Sequence, residues 1–531
     1  MGQADRTVTL LSRLSRKRKG IEQLLAPGRV AVSLGMNVVA EPQAQLIFSF
    51  AVNLMGRLYP VVQDLEIVLP AGTPMVTRTP RWHAAKLAEH IRLFLEALNP
   101  PLRWTIRERV TDVADSGLLI GFLPLPLERA VFVGSNGWVA TVSPHSPMSV
   151  GSQFNPVGAY AAACIGVGEI WKSLIYPHRD LFPGAPIVPL DGPLTVSTFT
   201  YREGLSEPNP VLSPSIDVGR LTMVGLGAGG GAAAFTLASL QDLRGVINLI
   251  EPDEVVDTNL NRYVFADFED VVRCRSKTDL VGSLFDRFSD ATVKTFPKSY
   301  GEAAAFLIQD DYRYVVAAVH SRAARRELQY ETPMILWDGG ATEQGEFFIW
   351  RMILGITECM WCKHRPGERD PELEKAAQLE QLLGLGATIW LRKVRNNEIF
   401  RADEVDAIAV FLAGKNVPFD LPSVGQRYGD WEAGQCGRLP LPEADEEIPI
   451  PFAPVMAGVL LAGEIIKEHY FPEATLDSYY WNTLVGRFMR RNQPHRRLPR
   501  PECSFCADGI YLSQYRRRWE TNPSDLRKFF G

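Results

Sequence analysis

The sequence predicts an α/β protein made of two related halves, and three observations predict it. Short apolar runs alternate with longer stretches of helical periodicity, the pattern of parallel strands joined by crossover helices. The chain echoes itself: Gly219-Arg220-Leu221-Thr222-Met223-Val224-Gly225 repeats the pattern of Gly28-Arg29-Val30-Ala31-Val32-Ser33, and Pro454-Val455 with Gly463-Glu464-Ile465-Ile466-Lys467 repeats Pro156-Val157 with Gly168-Glu169-Ile170-Trp171-Lys172. At 531 residues, 46% of them apolar, the chain is too long for one core and has material for two or three.

Taken in order, residues 1–27 form a basic N-terminal arm whose Arg13, Arg16, Lys17, Arg18 and Lys19 read as a solvated helix face or a mobile segment, with a phosphate-binding role as the other reading. Residues 28–200 form the first half: a buried strand at 29–34, a helix at 42–58 with an apolar face, a parallel strand at 64–69, and a small-residue helix at 159–172 after Asn155-Pro156. A linker over 201–218, rich in Pro and Ser at 206–215, leads to the second half at 219–506. There the pattern gives a strand at 221–224, a glycine turn at 225–231, a helix at 232–240 and a strand at 245–250. An insertion over about 370–450 carries helical patterns at 371–383 and 404–412, and residues 507–531 remain as a tail.

Composition excludes several functions. A net charge of −5 gives no global basic field, so nucleic acid is not an expected partner. The apolar stretches at 159–167 and 455–462 fall well short of the ~18 residues of a membrane span, and the N-terminus lacks the apolar segment of a signal peptide. Two Cys-x-x-Cys pairs leave Cys164, Cys274 and Cys436 as an odd remainder, which suits a reducing cytoplasm better than a disulfide framework.

The halves differ where chemistry would sit. The second has Gly225-Leu226-Gly227-Ala228-Gly229-Gly230, a turn that brings backbone amides and a helix N-terminus against an anion, followed by Glu251 where an acid holds ribose hydroxyls. The first has only Gly35, and without close-approach glycines it is expected to be catalytically inactive. On these residues alone NAD and ATP fit equally.

Downstream of the glycine turn the chain carries Glu251-Pro252-Asp253, then Thr258-Asn259-Leu260-Asn261-Arg262, then Lys277. This order resembles the adenylation superfamily of ubiquitin-activating enzymes and of the sulfur-carrier adenylyltransferases of thiamine and molybdopterin synthesis, over about residues 219–506. The resemblance implies two Rossmann-like adenylation halves forming a pseudo-dimer. It implies ATP with Mg2+, Arg262 and Lys277 neutralising the triphosphate as a carboxylate attacks the α-phosphorus, and Asn259 orienting a phosphate oxygen. One departure stands out. Where the family carries a magnesium aspartate after the strand matching 314–319, this chain reads Ala317-Ala318-Val319-His320-Ser321; Asp338 is the candidate substitute, or else caps a loop.

Cys359, Cys362, Cys503 and Cys506 make two knuckles, and four thiolates fill a tetrahedral Zn2+ site without an open position, so the metal would be structural. Cys436, in Gly434-Gln435-Cys436-Gly437-Arg438, lies where relatives in this superfamily place a nucleophile, and a thiolate there would displace AMP and hold the acyl group as a thioester. Cys164, on an apolar helix, reads as core, and Cys274 flanks the nucleotide. The resemblance therefore implies an activating enzyme for a ubiquitin-like β-grasp protein ending in glycine, as in the bacterial ubiquitin-like (Bil-type) defence operons. It would load Cys436, pass the acyl group to a separate conjugating enzyme, and work as a monomeric pseudo-dimer or a homo-oligomer. A sulfur-carrier or peptide adenylyltransferase without a thioester step is the first alternative, and a non-catalytic scaffold with a degenerate magnesium site the second.

Overall fold

The computed structural model describes residues 2–15, 28–109, 113–122, 125–183, 185, 187–204, 209–286, 289–319, 321–342, 345–364, 371–395, 398–413, 415, 420–434, 449–475, 477–484, 498–503, 505–507 and 509–519. The first half contributes strands β1 (Gly28–Leu34), β2 (Val62–Val68), β3 (Arg103–Arg107), β4 (Ser116–Ile120), β5 (Ala130–Asn136), β6 (Val139–Ser143) and β7 (Leu194–Ser197). The second contributes β8 (Ser215–Val224), β9 (Asp242–Ile250), β10 (Thr292–Phe296), β11 (Tyr314–Ala317), β12 (Ile335–Ala341), β13 (Glu346–Met352) and β14 (Ser478–Asn482). Each set forms one seven-stranded sheet, in the orders β3-β2-β1-β4-β5-β6-β7 and β10-β9-β8-β11-β12-β13-β14. In both, the first five strands of the order run parallel and the last two are added antiparallel. The echo in the sequence is thus a duplication of the whole sheet, and the expected α/β architecture of two Rossmann-like halves is the observed one.

Helices cover the sheets as the apolar periodicity required. Pro42–Met55 and Pro156–Ile175 lie on the first sheet; Ala228–Ala238 and Phe452–Tyr470 on the second. Asn155 starts Pro156–Ile175 by accepting the Val157 amide (2.9 Å), with Pro156 at the first turn where its missing N–H costs nothing. The closing helices of the two halves, Pro156–Ile175 and Phe452–Tyr470, pack on each other, so the two cores merge into one apolar interior. Each carries the echoed Glu-x-x-Lys as a buried ion pair, Glu169 with Lys172 and Glu464 with Lys467. The pairs are tied across the halves. Lys467 Nζ donates to Phe199 O of the first half (2.9 Å), Tyr201 Oη donates to Glu464 (2.6 Å), and Lys172 Nζ donates to Val188 O (3.1 Å) on a segment whose Val188 N–H reaches Leu484 O (3.0 Å). Desolvation offsets much of the attraction in a buried pair, so these pairs are weak evidence for added stability.

Several expectations change in detail. The N-terminal arm is a helix from Gly2 to Leu14 that buries Thr7, Leu10, Leu11 and Leu14 and packs on the turn Asp257–Asn259 of the second half, so it is a docked helix and not a solvated arm. Arg16 lies outside the described residues, whereas Arg13 is on this helix. The linker ends early because β8 begins at Ser215. Of the expected tail, Ile510–Trp519 is a helix with Tyr515 and Trp519 buried, whose side chains donate to Met334 O (2.9 Å) and Thr332 O (2.8 Å).

The insertion forms helices Pro371–Leu383, Ala387–Arg395, Ala402–Leu412 and Tyr428–Gly434 around a separate core of Ala376, Leu379, Leu383, Trp390, Phe400, Ile408, Leu412, Tyr428 and Trp431. It is a small folded unit attached to the second half. Among the described residues, no helix is long and apolar enough to cross a membrane.

Candidate functional site

The site is built at the carboxyl ends of β8 and β9, where a parallel sheet with crossovers opens a crevice. Gly225 turns the chain out of β8 at φ +87°, and a Cβ there would lie 2.7 Å from the Ala318 backbone. The helix then starts at Ala228 rather than at 232, because Gly227 is already in the cap position and Gly230 passes so close that a Cβ would lie 1.9 Å from Gly225 O. Gly227 and Gly229 are under no such pressure: their Cβ atoms would meet only Tyr263 Oη at 3.4 Å and Pro454 O at 3.5 Å. No side chain caps this helix. An uncapped helix N-terminus flanked by glycines that the fold itself does not need leaves amide donors and room for an anion such as phosphate.

Glu251 follows β9 and is buried; its carboxylate accepts the Leu226 N–H of the glycine turn (2.8 Å). Lys277, at the start of the helix Lys277–Gly282, places Nζ 2.7 Å from Asp253 Oδ2 and 3.8 Å from Glu251 Oε1. Burial raises the Glu251 pKa, with Lys277 opposing it, and although burial alone would lower the Lys277 pKa, Glu251 then Tyr263 and Asp253 hold that ammonium firmly charged. The structure therefore brings Gly225, Gly227, Gly229, Gly230, Glu251, Asp253 and Lys277 into one cluster.

Arg262 and Asn259 sit on the next loop. Arg262 Nη1 donates to Thr258 O and Asn261 Oδ1 (both 2.8 Å), and Asn259 Oδ1 accepts from Val256 N–H (3.1 Å), so the carboxamide oxygen closes a turn instead of facing outward. Tyr263, which the sequence motifs do not include, is the hub. Its hydroxyl lies beside Gly227, and its ring has Arg262 Cζ at 5.4 Å and Lys277 Nζ at 5.8 Å. An aromatic next to the Asn-Leu-x-Arg run was the available signal.

Asp338 does not cap a loop. It lies inside β12, level with Ala317 of β11, fully buried, with Lys363 Nζ at 2.7 Å from one oxygen and Arg325 Nε at 3.2 Å from the other. Burial would raise its pKa, but Arg325 and Lys363 outweigh it and hold the carboxyl well below the usual range. A divalent ion would have to displace a cation already in place, so Asp338 does not fit the magnesium role. His320 and Cys436 lie outside the described residues.

The four knuckle cysteines converge. Their sulfurs all lie within 4.8 Å of one another, with Cys359 to Cys362 at 3.8 Å, Cys359 to Cys503 at 3.7 Å and Cys362 to Cys506 at 3.3 Å. A tetrahedron of thiolates about 2.3 Å from zinc puts its sulfurs about 3.8 Å apart, so the donor set fits that ion. Trp361, Phe505 and Tyr511 stack beside it, at 5.7 and 4.1 Å between ring centroids, which makes the site part of the fold rather than of a substrate path.

Comparison with known proteins agrees with this geometry. Residues 215–505 match the family described as "ThiF family". The chain belongs to the ThiF family. That family's chemistry is adenylation of a carboxyl group with ATP and Mg2+. Residues 35–176 match "Prokaryotic E2 family C". The uncharacterized protein y4jF of Sinorhizobium fredii (strain NBRC 101917 / NGR234) is 25% identical over 513 residues, covering 94% of this chain and 92% of that one. Among solved structures, E. coli MccB with MccA-N7isoASN aligns at 15% identity over 55% of this ThiF-family chain and 67% of its own, with a TM-score of 0.31; E. coli MccB alone aligns at 11% identity over 55% and 66%, with the same TM-score.

Proposed function

We propose that this chain activates a ubiquitin-like protein: it adenylates the partner's C-terminal glycine with ATP and then takes the acyl group onto Cys436. The observation that carries the reading is the Glu251 carboxylate, which joins the glycine turn through Leu226 N–H to the Lys277–Asp253 pair and so places fixed positive charge at an uncapped helix N-terminus. There the partner's carboxylate oxygen attacks the α-phosphorus, a P–O bond forms, and the bond to pyrophosphate breaks as Lys277 and Arg262 meet the charge that leaves. The Cys436 thiolate would then attack the acyl carbon and release AMP. Mg2+ would accompany the triphosphate.

The first half is proposed as the inactive one. Its helix corresponding to the glycine-loop helix begins only at Pro42, which has no N–H to offer, behind Glu41, which repels an anion. Asn37 Oδ1 accepts the Phe122 N–H (2.8 Å) and would lie 2.8 Å from a Cβ on Gly35, filling the turn where phosphate would sit.

The match to an E2-named family favours a second reading, in which the first half itself accepts the acyl group. Cys164 is the one cysteine within 35–176, buried in the helix Pro156–Ile175 with its thiol pushed far up by desolvation. That supports a separate conjugating enzyme instead. The experiment is ATP–pyrophosphate exchange with a β-grasp protein ending in glycine. Exchange should require that protein, and Cys436→Ala should keep exchange while losing a thiol-sensitive covalent adduct. Exchange without any adduct in the wild type would leave an adenylyltransferase of the sulfur-carrier kind; no exchange at all would leave a scaffold.

A further inference from the structure

The loop that carries Arg262 and Tyr263 is held from outside, by side chains of the first half. Asn53 Nδ2 donates to Val264 O (2.8 Å), and Arg57 donates to Leu260 O (2.6 Å) and Ala266 O (2.9 Å) while Asn53 Oδ1 accepts its Nε–H (2.8 Å). Arg81 donates to Phe265 O and pairs with Asp267 and Asp270, each at 2.6 Å, and Trp82 Nε1 donates to Asp267 (3.3 Å). The carbonyls of Leu260, Val264, Phe265 and Ala266 are therefore all fixed by the other half, on either side of Asn261, Arg262 and Tyr263. A fully buried guanidinium is costly unless it is hydrogen-bonded, and Arg57 spends its donors on these carbonyls and on Asn53. Burial lowers the Arg57 pKa to about 9, with Asp267 opposing, so the group stays charged near neutral pH.

We infer that Arg57, with Asn53 and Arg81, is a positioning device that sets Arg262 and Tyr263 against the glycine turn, so that the first half supplies alignment to an active site it does not enter. The inference rests on the ATP-site reading and adds residues that the motifs do not contain. An interaction that pre-places a charged side chain acts only on the part of a ligand that the side chain meets. The consequence is selective: the triphosphate should feel these residues and the nucleoside should not.

The test uses the full chain and calorimetric titration with two probes, ATP with magnesium chloride and adenosine. Arg57→Ala should weaken ATP by about tenfold or more and leave adenosine within about twofold. In an Arg262→Ala background the same change should add less than about twofold, because its route to the ligand is already gone. Asn53→Ala removes one loop bond and the acceptor of Arg57 Nε, leaves the two Arg57 bonds to the loop, and should shift ATP in the same direction by a smaller factor; it carries the test if Arg57→Ala does not fold. Equal weakening of ATP and adenosine, or full additivity with Arg262→Ala, overturns the inference. If the wild type binds ATP and Arg262→Ala weakens it while both first-half variants bind as the wild type does, the positioning role alone is lost. A wild type that binds no ATP, or an Arg262→Ala protein that binds it unchanged, removes the site reading underneath.

Discussion

Gly227 and Gly230 stand in one loop and are glycine for different reasons. A methyl at Gly230 would collide with backbone at 1.9 Å, whereas at Gly227 it would make an ordinary 3.4 Å contact. Gly230→Ala should therefore destabilise the protein by about 3 kcal/mol or more, read as a lowered midpoint in thermal or urea unfolding. Gly227→Ala should leave the midpoint nearly unchanged and weaken ATP binding, since the methyl takes up room that the protein leaves open; unchanged affinity would mean the turn is not the phosphate cradle. Lys277 tests the charge. Lys277→Ala should cost roughly 100-fold or more in pyrophosphate exchange, the size of losing one preorganised positive group at a developing anion. The same loop also shows what motifs miss. Glu251, Asp253, Arg262 and Lys277 were legible from their order in the chain, but Tyr263 was not, because its part is to pack between Arg262, Lys277 and Gly227, and only folded neighbours reveal that.

At the scale of elements, the two cysteine knuckles join the segment before the insertion to the segment ahead of the C-terminal helix Ile510–Trp519. Cys359→Ser, or prolonged chelation, should lower the unfolding midpoint and release about one zinc per chain by metal analysis, with its main effect on stability. Retention of both the metal and the midpoint would remove the structural role. The helix Leu87–Leu98 contributes a pH dependence. His90, 4% exposed, has its pKa pushed down to about 4 by burial, while the Trp82 carbonyl it contacts only partly opposes this. The unfolded chain takes up that proton near the ordinary 6.5 and the folded chain refuses it until about 4. Stability should thus fall as pH drops through that window, by up to about 3 kcal/mol for this residue. Urea midpoints measured between pH 7 and 4 should be flatter for His90→Gln than for wild type. In the insertion, helix 371–383 was expected from the sequence and Ala387–Arg395 was not; the latter's place is fixed by Trp390 inserting among Phe400, Tyr428 and Trp431.

For the whole molecule, the closing helix of each half is buried against that of the other within one chain. Light scattering should therefore give a mass near 59.1 kDa, that of a single chain; a stable dimer would show that a further face is in use. The buried pair Glu464–Lys467 lies in this interface, and Lys467→Met would remove the cation directly paired with Glu464. That change should cost about 3–5 kcal/mol, visible as a lower unfolding midpoint. An unchanged midpoint would show that the groups left around Glu464, Tyr201 among them, satisfy the charge without Lys467.

The α/β class, the duplication, the difference between the two glycine turns and the four-cysteine set are all legible in the order of residues along the chain. Each is written locally, as periodicity, spacing or a run of residues with fixed backbone demands. Which residues meet across the halves is settled only by folding. In the sequence no motif marks Arg57 or Arg81, and Asp338 looks like a candidate magnesium ligand. The first two hold the loop that follows Leu260 from the other half, and the third is paired by Arg325 and Lys363, because a buried charge needs a partner and only folding brings that partner near.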